Sequence, residues 1–596
     1  MNSKELLPWK LTYNEIGLNF AGGNAEISVW APNAQDLKIR IEGSDLPLNR
    51  NDYGIWHAPL PDVSDRDEYW LILDGKQLPD PASRYQPSGV FGPSIAVDLS
   101  HLNPSTSHRS ISAEDTVLYE LHVGTYSENG TFEALKEKVE HISSLGVSTV
   151  ELLPIAQFEG ERNWGYDGVF PYAVQNSYGK PEDLIELIDT IHQSGMSAVL
   201  DVVYNHLGHR GNVFGQYGPY FSPVHASPWG KSINFDDQWC DYVRSFFISN
   251  AIYWLEVFGF DGLRLDAIHN IMDNSPKHLL TELAERVHSH FNSSFTPFLI
   301  AESDKNDPAI IMPEENCGYG IDAQWCDDFH HSIHVVLTGE RHGYYSDYGS
   351  FEQIEKAYLE GFCYRGDYSA FLHKIRGSSE GSYRKNQLVV FSQNHDQVGN
   401  RPDGARNALL FSDGRRFLFP AAVILSPFTP MLFMGEEFGE ERHFWFFIDT
   451  ESKEYAEAVR KGRENEFSYF GMSAVPAPAS NHAFLESKID WERLHTKEGG
   501  EMLRFYRRLI ELRRQMALGR EHEMRVICGG KCLAIEHNTS SGFYVTVFNF
   551  SSETQSVSLG YDTERLLEFN IINVERGNVQ LAGYGFGVYR HSVAKR

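Results

Sequence analysis

Ala198-Val-Leu-Asp-Val-Val-Tyr-Asn-His206 starts as an apolar run and finishes in polar side chains. A strand buried on both faces reads this way, and such strands belong to parallel sheets covered by helices. A long helical stretch around Val243 to Val257 follows, and Gly262-Leu-Arg-Leu-Asp266 then repeats the apolar-to-polar pattern. Working upstream, Val117-Leu-Tyr-Glu-Leu121 and Val150-Glu-Leu-Leu153 are strands of the same kind. Phe132, Leu135, Val139, Ile142 and Leu145 lie between them at helical spacing, and Leu184, Leu187, Ile188 and Ile191 mark the next helix. Working downstream, Phe298-Leu-Ile-Ala-Glu302, Ile321-Asp-Ala-Gln-Trp325, Leu388-Val-Val-Phe391 and Met431-Leu-Phe-Met434 continue the series. Eight strands alternating with helices predict an α/β fold, a (β/α)8 TIM barrel enlarged by insertions, over residues 101–517.

The flanks read differently. Ile27-Ser-Val-Trp30, Leu37-Lys-Ile-Arg-Ile41 and Tyr69-Trp-Leu-Ile-Leu73 alternate in strand fashion, and Asp74-Gly75 is a hairpin-type turn. Residues 1–100 are therefore expected to form an N-terminal β-sandwich of carbohydrate-binding-module type, closed by an irregular linker from Pro79 to Pro93. After a helix from Met502 to Met516, Phe543–Phe550 and Ser556–Leu559 imply a C-terminal β-domain over residues 518–596.

Composition narrows the function. The chain has 596 residues, 41% hydrophobic and 22% charged, which fills large cores and excludes general disorder. Its net charge of −29 repels phosphate backbones and anionic lipid, so neither nucleic acid nor membrane is an expected partner. Six cysteines in so long a chain suit a reducing cytoplasm, and buried free thiols are the expected state. The opening residues, Met1 to Lys10, lack the apolar core of a signal peptide. The most apolar run, Phe417 to Gly435, carries three prolines and reads as a buried helix end and strand. No metal or cofactor is expected.

In a barrel of this kind, the C-terminal ends of the strands line the active site. Four strands end in polar clusters: Asp201 to His206, Arg264-Leu-Asp266, Ala301-Glu302 and Ser392-Gln-Asn-His-Asp396. Burying a carboxylate is costly unless it is paired or used. Asp266, Glu302 and Asp396 on one mouth are what glycoside hydrolysis requires. One carboxylate works below the ring, one acid protonates the leaving oxygen, and a third favours the cationic transition state. Arg264, two residues before Asp266, points to the same side of its strand. It is expected to keep Asp266 ionised while a partly desolvated Glu302 keeps its proton. Taken singly, Asp201 or Arg264 reads as a structural ion pair, His206 or His395 as framework, and Trp164, Tyr166, Tyr217, Tyr220 or Trp229 as packing. Four such strand ends in chain order are hard to explain by packing alone.

These four strand ends resemble the four sequence regions of the α-amylase family of glycoside hydrolases, in that family's order. The resemblance implies Asp266 as nucleophile, Glu302 as general acid/base and Asp396 as transition-state stabiliser, in a retaining mechanism through a covalent glucosyl-enzyme. Asp201, His206, Arg264 and His395 would support the glucosyl pocket, with Tyr166 of Trp164-Gly-Tyr-Asp167 as the aromatic platform under the sugar. The run Asp266-Ala-Ile-His-Asn270 lacks the Lys-His pair of many plain α-amylases and leaves His269 as a substrate-binding candidate.

Several further stretches are similar to the malto-oligosyltrehalose trehalohydrolases. They include Tyr119–Tyr126, Asp322–His331, Thr338–Tyr345, Asn394–Arg401 and Gly435–Gly439. That likeness implies hydrolysis of the α-1,4 bond joining trehalose to a malto-oligosaccharide. Trehalose would be the product, and a malto-oligosyltrehalose synthase the pathway partner that makes the substrate. Asp327, Asp328, Phe329, His330 and His331, with Gln397 and Asn400, become candidates for the trehalose side of the pocket. Cys326 stands in that motif where Asn or Val is more usual. The competing readings are a glycogen branching or debranching enzyme and, more remotely, a non-catalytic glucan-binding barrel.

Overall fold

The computed structural model describes residues 6–9, 11–227, 230–291, 295–468, 476–575 and 577–591; Trp229 and the opening Met1–Glu5 lie outside them. Eight parallel strands close into a barrel. They are numbered here β1 (Leu118–Leu121), β2 (Thr149–Leu152), β3 (Ser197–Val202), β4 (Gly262–Leu265), β5 (Phe298–Ala301), β6 (Ala323–Trp325), β7 (Leu388–Phe391) and β8 (Thr429–Phe433). β8 pairs with β1, Met431 opposite Leu118, and the ring is complete. These are the eight strands expected from sequence.

Leu118, Val199, Phe298, Ile300, Ala323, Trp325, Val389, Phe391 and Met431 form an apolar cluster separate from the main core. They recur at every second position of their strands, so they are the inward-facing set, and the barrel is plugged by side chains. The same parity turns Glu120, Glu151, Asp201 and Arg264 inward, and all four are buried. The outward-facing set meets the helices. One of them, α1 (Cys240–Phe258), is almost wholly buried, and Gly259 ends it with a left-handed cap at φ 80°.

N-terminal to the barrel, two antiparallel sheets face one core, one of four strands and one of five. The hairpin at Asp74-Gly75 forms as expected, with both residues at positive φ. The linker does not hang free. Arg84 buries its guanidinium 4.5 and 4.6 Å from the ring centres of Tyr172 and Tyr253, and donates to the carbonyls of Tyr13 and Ile16. It rivets the N-terminal sheets to the barrel. At the other end, a six-stranded antiparallel sheet follows the helix Lys497–Met516.

Two further expectations meet the structure. The Phe417–Gly435 run is the buried helix Arg415–Ile424 followed by β8, and no helix among the described residues is long and apolar enough to cross a membrane. All six cysteines are free, but only Cys326, Cys363 and Cys532 are buried. Cys317 and Cys528 are exposed and Cys240 is half-buried, against the expectation of buried thiols throughout.

Candidate active site

The site is built outward from Arg264. Its guanidinium lies over the Trp325 ring, 4.1 Å from the ring centre, inside the plugged barrel. Nη1 donates to Asp201 Oδ2 at 2.7 Å and to Asp266 Oδ1 at 2.9 Å, and Nη2 donates to Glu302 Oε2 at 2.8 Å. Burial opposes the charge, but Asp201 and Glu302 outweigh it and hold the group well above the ordinary arginine range. One cation thus gathers carboxylates from the ends of β3, β4 and β5.

The backbone helps. Ala267, directly after Asp266, sits at φ 39° and ψ 50°, a left-handed conformation that costs energy for a residue with a Cβ. In that posture its N–H donates to Glu302 Oε2 at 2.8 Å. Glu302 Oε2 is then doubly engaged. Asn205 Nδ2 donates to Asp266 Oδ2 at 2.7 Å, so the Asp266 carboxylate is held on both oxygens. Side-chain exposure is 11% for Asp266, 18% for Glu302 and 30% for Asp396, a graded opening from floor to rim.

A second chain of contacts joins β1, β3 and β7. His395 Nδ1 lies 2.6 Å from Glu120 Oε1, and its Nε2 lies 2.8 Å from the Tyr166 hydroxyl. That hydroxyl donates to Asp201 Oδ2 at 2.7 Å. Burial disfavours charge on His395, but Asp396 and Glu120 outweigh it and push the imidazole up to about 9. Burial pushes the Asp201 carboxyl up to about 7 despite Arg264. The Tyr166 ring stacks on His395 at 5.1 Å. Gly165 makes this possible: at φ 108°, a Cβ there would stand 2.1 Å from the Pro154 carbonyl oxygen. Asp396 Oδ1 accepts from Asn400 Nδ2 at 2.9 Å, and Asn400 Oδ1 accepts from Arg463 at 2.8 Å.

Residues 105–226 match the catalytic domain of the alpha amylases. The chain is 43% identical over 520 residues to the malto-oligosyltrehalose trehalohydrolase of Saccharolobus solfataricus, covering 87% of this chain and 90% of that one. It is 36% identical to the enzyme of the same name from Deinococcus radiodurans, over 90% of this chain and 89% of that one. The chain belongs to the malto-oligosyltrehalose trehalohydrolase family. It is an α-amylase-type glycoside hydrolase. A 1,4-alpha-glucan branching enzyme from Corynebacterium jeikeium is more distant, 28% identical over 82% of this chain and 70% of that one. A solved structure from Salmonella typhimurium, provisionally assigned as an alpha amylase, superposes with a TM-score of 0.90 at 35% identity, over 97% of this chain and 99% of that one.

Within this family frame, the predicted site residues fall into two groups. Asp201, His206, Arg264, Asp266, Glu302, His395 and Asp396 converge with Tyr166, whose carbonyl lies 2.9 Å from His206 Nε2. Gln397 bridges to the next segment, donating to Asp327 Oδ1 at 3.1 Å. Burial, with Glu302 and Asp396 nearby, pushes the Asp327 carboxyl up to about 8. His269 stands on the short turn Ile268–Asn270 just after Asp266, 3.7 Å from Asp304.

Asp328, Phe329 and His330 of the Asp327–His331 stretch point elsewhere. The stretch opens the helix α2 (Asp327–Thr338). Asp328 is fully buried and accepts from Asn306 Nδ2 and the backbone N–H groups of Cys363 and Tyr364 at 2.7–2.9 Å, with Arg376 at 3.1 Å. Phe329 packs on Tyr358 and Phe428. His330 stacks on His334 and Phe419, and His331 stacks on Tyr344. A helix rotates successive side chains by 100°, so only some of five consecutive residues can face one mouth.

Sequence reading passed over four residues. Glu120 and Glu151 are acids inside otherwise apolar strands, and that contrast was a usable signal. Both Glu151 oxygens are buried without a protein hydrogen-bond partner, and burial together with Glu120 holds its carboxyl well above the usual range. Asn205 stands one residue before His206. Arg463 lies on the helix Lys453–Ser468 and gave no signal, because its partner Asn400 is 63 residues away in sequence.

Proposed function

We propose that this chain hydrolyses the α-1,4 bond joining trehalose to a malto-oligosaccharide, releasing trehalose and a shortened chain. The observation that carries the reading is the Arg264 hub, which presents Asp266 and Glu302 to one mouth in a chain of the trehalohydrolase family. Asp266 attacks the anomeric carbon, and the bond from that carbon to the leaving oxygen breaks. The proton on Glu302 passes to that oxygen, which departs with trehalose. Glu302, now ionised, takes a proton from water, whose oxygen displaces Asp266 and regenerates both groups with net retention. Asp396 stabilises the oxocarbenium-like transition state, and Tyr166 lies under the sugar beside the cleaved bond.

Asp327, Gln397 and Asn400 form the trehalose-side wall, with Tyr345 behind Gln397 and Arg463 behind Asn400. Asp328, Phe329 and His330 hold that wall from behind and touch no sugar. A malto-oligosyltrehalose synthase would supply the substrate, in the cytoplasm. The test is product analysis on maltotriosyl-trehalose beside maltopentaose. Free trehalose from the first, at a higher kcat/KM than any cleavage of the second, is the expected outcome. New branch points would favour the branching reading, and binding without turnover would favour the non-catalytic one.

A further inference from the structure

A cavity of about 370 Å³ lies at the far end of the barrel from the acids. Lys385 and Asn386 line it just before β7, and Pro427 just before β8, so it opens at the strands' N-terminal ends. Gly519 to Met524, leading into the C-terminal sheet, form the opposite wall. Its charge runs against the rest of the molecule: Arg365, Arg384, Lys385 and Arg520 face only Glu360 and Glu521, in a chain of net charge −29.

Two of these cations already have counter-charges. Arg365 lies 3.5 Å from Glu360, and Arg520 lies 3.6–3.8 Å from Asp115 and Glu114 outside the cavity. Lys385 and Arg384 make no ion pair among the described residues. The Lys385 ammonium donates to the Leu359 carbonyl. Burial draws its pKa down to about 8, opposed only by the more distant Glu360. A half-buried ammonium with no carboxylate paired to it is stabilised by an anion that reaches it. Tyr383 adds an aromatic ring, fixed by its hydroxyl on the Glu360 carbonyl, with the Arg365 guanidinium over one face.

We propose that this cavity binds a phosphate monoester of monosaccharide size, the phosphate between Lys385 and Arg384 and the sugar ring against Tyr383. The volume is in the range of small-ligand sites. A neutral glucan would leave both cations unmatched, whereas a phosphate dianion accepts from each. The occupant bridges the barrel and the C-terminal sheet, so binding stabilises their junction.

Isothermal titration of the whole chain with glucose 6-phosphate, inorganic phosphate and glucose tests this. Glucose 6-phosphate should bind with a Kd of about 1 mM or tighter and raise Tm, phosphate more weakly, and glucose not at all at that site. Lys385→Gln combined with Arg384→Gln should weaken glucose 6-phosphate binding by about tenfold or more, while turnover at the distant mouth is unchanged. Arg384→Gln alone, at an exposed position, guards against a folding defect and should weaken binding in the same direction. No binding, binding indifferent to both variants, or equal binding of glucose would each overturn the proposal.

Discussion

Two arginines, Arg264 fully buried and Arg376 partly so, sit under carboxylates in this molecule, and they do opposite things with them. Arg264 divides itself among Asp201, Asp266 and Glu302, and two of those three acids keep side-chain surface open to the mouth. Arg376 meets Asp328, which is fully buried and whose oxygens also collect Asn306, Tyr348 and two backbone N–H groups. A carboxylate saturated with donors has nothing left to give a substrate; it fixes a loop. Carboxylates that share one cation and stay short of donors remain reactive. The number of donors, more than the presence of a buried ion pair, separates chemistry from scaffolding.

The comparison predicts a ranked series of variants. Asp266→Asn or Glu302→Gln should lower kcat by several orders of magnitude with the fold intact by circular dichroism. Retention of more than a tenth of kcat, a loss below about 1.4 kcal/mol, would sink the assignment. Asp328→Asn should behave differently, destabilising the chain by about 3 kcal/mol in urea unfolding, because Arg376 loses its buried counter-charge. Its kcat/KM should fall equally on malto-oligosyltrehalose and on plain malto-oligosaccharide. A stable variant with altered substrate preference would place Asp328 in the substrate pocket instead.

Asp327→Asn should leave stability nearly unchanged and lower kcat/KM on malto-oligosyltrehalose more than on plain malto-oligosaccharide. With its carboxyl pushed up to about 8, Asp327 is protonated at neutral pH and ionises as pH rises through that value. The added negative charge beside Glu302 and Asp396 should bring kcat/KM down near pH 8, and that limb should be absent from the variant. An unchanged profile would remove Asp327 from the wall. The smallest effect concerns Glu436, whose carboxyl burial pushes up to about 8. The folded state holds a proton there that the unfolded chain releases above about pH 4.5, so stability declines as pH climbs toward 8. Glu436→Gln should flatten that decline by a few degrees of Tm between pH 5 and 8. An identical slope in the variant would assign the decline to other groups.

Much of this was legible in the chain. Strands buried on both faces announce themselves as apolar runs, and the polar residue that ends each run is where the barrel opens. This is why Asp201, Arg264, Asp266, Glu302 and Asp396 could be named in advance. The helix after β6 was harder, because a motif written as consecutive letters hides a rotation that sends Asp327 and Asp328 to different surroundings. Arg463 could not be reached at all, since its link to Asp396 through Asn400 exists only after folding. The expectation that Arg264 serves Asp266 was too narrow: the same guanidinium also binds Glu302.

Closure of the barrel has a consequence for how the protein is made. β1 completes its pairing only when β8 arrives, about 300 residues later. At translation rates of roughly 5–20 residues per second, that strand waits roughly 15–60 seconds on the ribosome with one edge unsatisfied. During that interval Leu118-Tyr-Glu-Leu121 offers an unpaired edge to any neighbouring chain, and the charged Glu120 in its middle is a built-in deterrent to wrong partners.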